Sequence, residues 1–129
     1  MKAYLLNGAY EAGDATDTLA SPVVKALKNQ GMQTKLFTLR DMDIAFCTGC
    51  FGCWTTNGGQ CVVRDDGFDL AREARKADLL VLLTPVVFGG YGWQLKKAMD
   101  RLLPDLAPYF LPGQEPEAYQ EFAALLGIG

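Results

Sequence analysis

The run "LLVLLT", Leu79–Thr84, most restricts what this chain can fold into. Its apolar residues do not alternate with polar ones, so a strand there needs cover on both faces. Strands of that kind belong to parallel sheets. A second such run, "KAYLLN" at Lys2–Asn7, is stopped by Asn7-Gly8. Parallel neighbours need long crossovers, and the sequence between supplies helical ones. Asp17–Gln30 sets Leu19, Val23, Val24 and Leu27 on one helical face and stops at Gly31. Pro22 suits only a first turn, so the spacing predicts either a cap at Ser21 or an irregular turn before it. Gln33–Leu39 alternates and reads as a strand at or near an edge. Asp66 is a plausible cap for a helix with Phe68, Ala71 and Ala74 on one face. Gln94–Leu103 reads as a third helix and "FAALLGI" as a last strand. The order β-α-β-loop-α-β-α-loop-β predicts an α/β fold, a doubly wound parallel sheet with helices on both faces. Ligands in such sheets gather beyond the carboxyl ends of the strands. That singles out residues 8–18, the cysteine segment, residues 85–93 and whatever follows Gly127.

With 129 residues the chain is expected to be one domain, 1–129, with a single core. A formal charge of -3 and no run of Lys or Arg argue against nucleic acid or an anionic membrane as partner. The apolar runs are too short for a signal peptide or a membrane span, which reads as cytoplasmic. Histidine is absent, which removes the commonest general base and any Ser-His or Cys-His pair. Chemistry must then come from carboxylates, thiols or a borrowed cofactor. Pro104, Pro108, Pro112 and Pro116 recur every fourth residue and forbid a helix. Leu106–Leu111 between them is apolar enough for a packed loop or a subunit contact.

All four cysteines lie in "CTGCFGCWTTNGGQC", Cys47–Cys61. In a reducing compartment such clusters ligate metal or do redox work more often than they form disulfides. Cys47-x2-Cys50-x2-Cys53 has the spacing that sets three thiolates on an iron–sulfur cube, and Asn57-Gly58-Gly59 could turn Cys61 back as the fourth. Four reduced, partly buried thiols fit the same sequence, while zinc and a disulfide fit less well. In "NGAYEAGDATDTL", Gly8, Gly13, Thr16 and Thr18 are what a phosphate cradle needs, although an ordinary strand-to-helix turn wants the same residues. Glu11, Asp14 and Asp17 argue against a dianion unless they point outward. "PVVFGGYGW" offers Pro85, Val86, Val87, Phe88, Gly89, Gly90 and Tyr91, an aromatic, glycine-bearing loop suited to a flat ring or to capping the core.

Together "TPVVFGGYGWQLKKAMDR" and "CTGCFGCW…GGQCVVRDD" resemble the flavin loop and compact cysteine motif of the flavodoxin-like NADPH-dependent FMN reductases, in their iron–sulfur flavoprotein branch. "LNGAYEAGDATDTL" occupies the place of that family's phosphate loop, and the resemblance runs from Lys2 to about Pro104. It implies FMN, with its phosphate at Gly8, Gly13, Thr16 and Thr18 and its ring against Pro85–Trp93. It also implies a [4Fe–4S] cluster on Cys47, Cys50, Cys53 and Cys61 where a cluster is present. Electrons would come from NAD(P)H or a protein donor and leave to a small-molecule or protein acceptor. The assembly implied is a homo-oligomer, dimer or higher, with cysteine loops near a neighbour's flavin. The chain departs from the family at Ala9, Tyr10 and Glu11, and it shows no fifth strand or last helix. An electron carrier without substrate turnover and a degenerate domain without flavin are the alternatives.

Overall fold

Strand β1 (Lys2–Asn7) is buried from Ala3 onward, on both faces, and it sits inside the sheet with a parallel neighbour on each edge. The computed structural model describes residues 1–105 and, for the backbone, 124–128. On one side β1 pairs with β2 (Gln33–Thr38), and on the other with β3 (Leu79–Leu83). Strands β4 (Val86–Val87) and β5 (Gly90–Tyr91) form a separate small antiparallel hairpin. Strand β6 (Ala124–Ile128) then pairs with β3, also in parallel. The main sheet therefore has the order β2-β1-β3-β6, the 2-1-3-4 arrangement of a flavodoxin-like sheet. Four strands make up this sheet among the described residues.

Alternate residues of β1 and β3 feed two separate cores. Leu5, Val81 and Leu83 meet Ala20, Val23, Val24 and Leu27 of helix α1 (Ala15–Asn29) on one face. Tyr4, Leu6, Leu80 and Leu82 meet the other face's helices, α3 (Asp66–Ala74) and α4 (Trp93–Asp100). Helix α2 (Gly52–Thr55) is a single turn inside the cysteine segment, which is otherwise the long loop expected. Crossover helices on both faces are what two-sided burial of β1 and β3 demands.

Several boundaries differ from those read in the sequence. Helix α1 starts at Ala15 under an Asp14 cap, so Pro22 lies in its interior and not in a first turn. It is exposed, and the price is one missing N–H to the Thr18 carbonyl. Val23, Val24 and Leu27 of the expected face of α1 pack against the core, but Thr16 and Ala20 complete that face and Leu19 is 39% exposed. Asp65, not Asp66, caps α3, accepting from the Phe68 amide at 3.1 Å. Leu70, Ala71 and Ala74 form the core face, while Phe68 lies under the guanidinium groups of Arg64 and Arg72. Leu39 leaves the strand and opens a 3-10 turn, Leu39–Asp41, fully buried. Pro104 closes the described part in another, Leu103–Asp105. The segment Leu106–Leu111, with Pro108, and the prolines Pro112 and Pro116 lie outside the described residues.

Candidate functional site

The first loop, between β1 and α1, is held by two carboxylates. Asp14 accepts from the amides of Asp17 at 2.7 Å, Tyr10 at 3.2 Å and Glu11 at 3.3 Å. Asp17 accepts from the Gly13 amide at 2.8 Å, Asn7 Nδ2 at 2.7 Å and an Arg40 guanidinium N–H at 2.8 Å. These contacts, the Gly13 amide first, hold the Asp17 pKa down at about 2, so it is ionised at any neutral pH. The two threonines assigned to the loop are helical. Thr16 is buried, and the Thr18 hydroxyl donates back to the Ala15 carbonyl at 2.9 Å. Gly8 is a packing position, because a Cβ there would stand 2.9 Å from the Leu83 carbonyl oxygen and 3.1 Å from Leu95 Cβ. Gly13 has φ +81, which a left-handed turn needs.

The loop 85–93 is the small hairpin, and its side chains face solvent. Val86, Val87, Phe88 and Tyr91 are exposed, Phe88 completely. Phe88 and Gly89 at its tip both have positive φ. Trp93 stacks on Tyr10 of the first loop with centroids 6.0 Å apart, and its amide donates to Tyr10 Oη at 3.3 Å. Gly92 lets Tyr10 come this close, since a Cβ there would lie 2.6 Å from its hydroxyl oxygen. Gln94, in the first turn of α4, is buried with its Oε1 unpartnered.

The cysteine segment lies along the far end of the same helix. All four cysteines line one open pocket, together with Phe51, Val62, Leu103 and Arg101. Cys53 is buried, and desolvation pushes its thiol up. Cys50 is exposed, and the Gly52 amide, 3.5 Å away, holds its thiol down. Among the described residues no three Cys, Asp or Glu side chains converge on a point that could hold a single metal ion. A cube spreads its four irons over four thiolates, so single-ion convergence is not what it requires. The cavity wall is anchored by Arg101, which is 2% exposed. Its guanidinium donates to both Asp65 oxygens at 2.7 Å and to the carbonyls of Ala45 at 3.0 Å and Val63 at 3.1 Å. Its Nε–H has no partner. Between the two regions, Lys97 of α4 lies 5.6 Å from the ring centre of Phe46 and 5.1 Å from that of Trp93. Helix α4 spans only about 12 Å, so the hairpin and the thiols are one short helix apart.

Asp65 was invisible as a site residue, since neighbouring aspartates before a helix look alike. Burial works against its charge, but Arg101 and the amides of Ala45 and Phe68 outweigh it and hold the pKa at about 2. A carboxylate depressed from about 4 stabilises the fold above that pH and loses the contribution as pH falls toward 2. Asp65 alone accounts for roughly 2 kcal/mol. Urea unfolding followed at pH 5, 4, 3 and 2 should show at least that loss, and Asp65→Asn should flatten the fall. A wild-type midpoint that stays constant down to pH 2 would contradict this.

A family model described as NADPH-dependent FMN reductase matches residues 1–127. The chain belongs to that family. Curated relatives of this FMN reductase family member include an iron–sulfur flavoprotein of Methanocaldococcus jannaschii, 32% identical over 104 residues, covering 81% of this chain and 53% of that protein. Another, an iron–sulfur flavoprotein of Archaeoglobus fulgidus, is 36% identical over 87 residues, covering 67% of this chain and 44% of the relative. The chain thus spans about half the length of the curated relatives it matches. Among solved structures, RosB with a bound 8-demethyl-8-formylriboflavin-5'-phosphate aligns at TM-score 0.64 and 20% identity, covering 91% of this chain and 45% of RosB. An FMN-dependent NADH-azoreductase of Bacillus anthracis in complex with FMN aligns at TM-score 0.57 and 14% identity, covering 80% and 56%. At such identities the two structures speak for the flavodoxin-like fold of this family member.

Proposed function

We propose that this domain holds a flavin and serves an oxidoreductase that moves electrons between the flavin and a cluster on the cysteines, with NAD(P)H or a protein as donor. The observation that carries the reading is the closeness of an exposed aromatic hairpin and a four-thiol cavity, separated by one short helix. The ring end of a flavin suits the hairpin. Val86, Val87, Phe88 and Tyr91 offer apolar cover, and the peptide groups of Phe88 and Gly89 at its tip are open to donors and acceptors on the ring edge. The phosphate end does not suit the first loop, whose amides at Tyr10, Glu11 and Gly13 are already taken by Asp14 and Asp17.

A [4Fe–4S] cluster suits the cysteine cavity on two grounds. The donor set is four cysteines around one pocket, and the buried Arg101 Nε–H lacks an acceptor that a sulfur could supply. Cys47, Cys50, Cys53 and Cys61 would hold it. A bound flavin supplies hydride acceptance and one-electron release, so the chain needs no acid or base of its own, consistent with the absence of histidine. The protein's part is to cover the ring with the hairpin and keep water from it, while Arg101 and Asp65 hold the thiol wall in place. A homo-oligomer bringing one copy's cysteine loop to another's hairpin belongs to the same proposal.

Anaerobic protein loaded with a flavin, iron and sulfide tests this. Flavin bands should bleach with NADH or NADPH, and a broad visible absorbance should disappear equally in Cys50→Ser and Cys61→Ser. Absence of any flavin binding by the folded chain sinks the oxidoreductase reading. Flavin without the broad absorbance leaves the thiols as a redox or structural group without a cluster.

A further inference from the structure

Resting on the flavin reading above, we propose that this chain recognises its flavin without the terminal phosphate, because Asp14 and Asp17 occupy the anion-binding positions of the first loop themselves. In a phosphate cradle, the amides of the strand-to-helix turn and a nearby cation point at the anion. Here the amides of Tyr10, Glu11 and Asp17 point at the Asp14 carboxylate, and that of Gly13 at Asp17. The local cation, Arg40, is spent on Asp17, as is the side-chain amide of Asn7. Asn7 is 1% exposed, and its Oδ1 accepts from the Ala9 amide at 3.1 Å, so its orientation is fixed from both ends.

A dianion entering this loop would have to remove two carboxylates from their donors and then lie beside them. Glu11 adds a third negative charge on the exposed side of the same turn. Riboflavin, which ends in a neutral hydroxyl, meets neither obstacle. Its last hydroxyl can donate to Asp14 Oδ1 or Asp17 Oδ2, each accepting from one amide, which a phosphate cannot do when fully ionised. Asp17 is the residue that decides, because its removal would free the Gly13 amide, Asn7 Nδ2 and Arg40 together.

The test compares riboflavin and FMN by fluorescence titration of the full chain. Charge-assisted contacts to free amides and an arginine would favour FMN on the order of a hundredfold or more. Wild-type protein should instead bind riboflavin within about threefold of FMN or better, and 10 mM (roughly a saturating excess) inorganic phosphate should not displace it. Asp17→Ala should shift the preference toward FMN by about tenfold or more. Asp17→Ser serves as a second variant, and circular dichroism checks that each is folded. A wild-type preference for FMN of tenfold or greater overturns this inference while leaving the flavin reading intact. Equal binding that Asp17→Ala and Asp17→Ser do not change overturns the role given to Asp17. Binding of neither flavin overturns both.

Discussion

Asp65→Ala should cost about 4 kcal/mol. Two effects add. The substitution leaves the Arg101 guanidinium, whose side chain is 1% exposed, without its counter-charge, and α3 loses its cap. Removing one partner of a buried pair commonly costs about 3–5 kcal/mol, because the other charge remains desolvated. A domain of this size has only about 5–15 kcal/mol to lose. Urea unfolding would measure it, and the double variant Asp65→Ala, Arg101→Met should recover part of the loss. If the double variant is as unstable as the sum of the two single ones, the two residues act separately and the ion-pair account is wrong.

Gly8→Val is expected to be nearly as severe, at roughly 3 kcal/mol, or a fall in Tm of roughly 10–20 °C. The Gly8 amide donates to the Leu83 carbonyl at 2.8 Å, drawing the chain against the end of β3. A Cβ would press on that same oxygen and on Leu95, and neither is a flexible side-chain tip. Gly13→Ala is the informative companion. Nothing lies within 4 Å of its Cβ position, so the cost is only the left-handed backbone, about 1 kcal/mol. Were both residues cradle glycines, the two variants would melt alike and differ from wild type mainly in ligand binding. Differential scanning calorimetry of the two should separate them clearly.

The sheet was legible because its evidence is redundant. Two buried runs, helical spacing between them and a glycine at the end of the first helix all point to one topology. Side-chain register was less so. Val23, Val24 and Leu27 were read correctly on α1, but Leu19 was placed where Ala20 lies, because small residues such as Thr16 and Ala20 do not announce burial. The thiols were legible from spacing, but their anchor was not. Arg101, near the end of α4, looks like any solvated charge near a helix C-terminus, and only the folded chain brings it to Ala45, Val63 and Asp65. The acidic residues of the first loop were noticed, yet which amides they take depends on backbone angles that composition does not encode.

The inside position of β1 also bears on synthesis. Its residues are apolar on both faces, and Ala3 pairs with Leu79, so this strand leaves the ribosome long before one of its two neighbours exists. At roughly 5–20 residues per second, β1 spends several seconds with β2 and α1 as its only cover. For most of that interval Tyr4 and Leu6 have no α3 to lie against, and α4 is made only after β3. A nascent chain stalled before Leu79 should therefore be a strong client for chaperones that hold apolar segments, and one released beyond Arg101 a much weaker client.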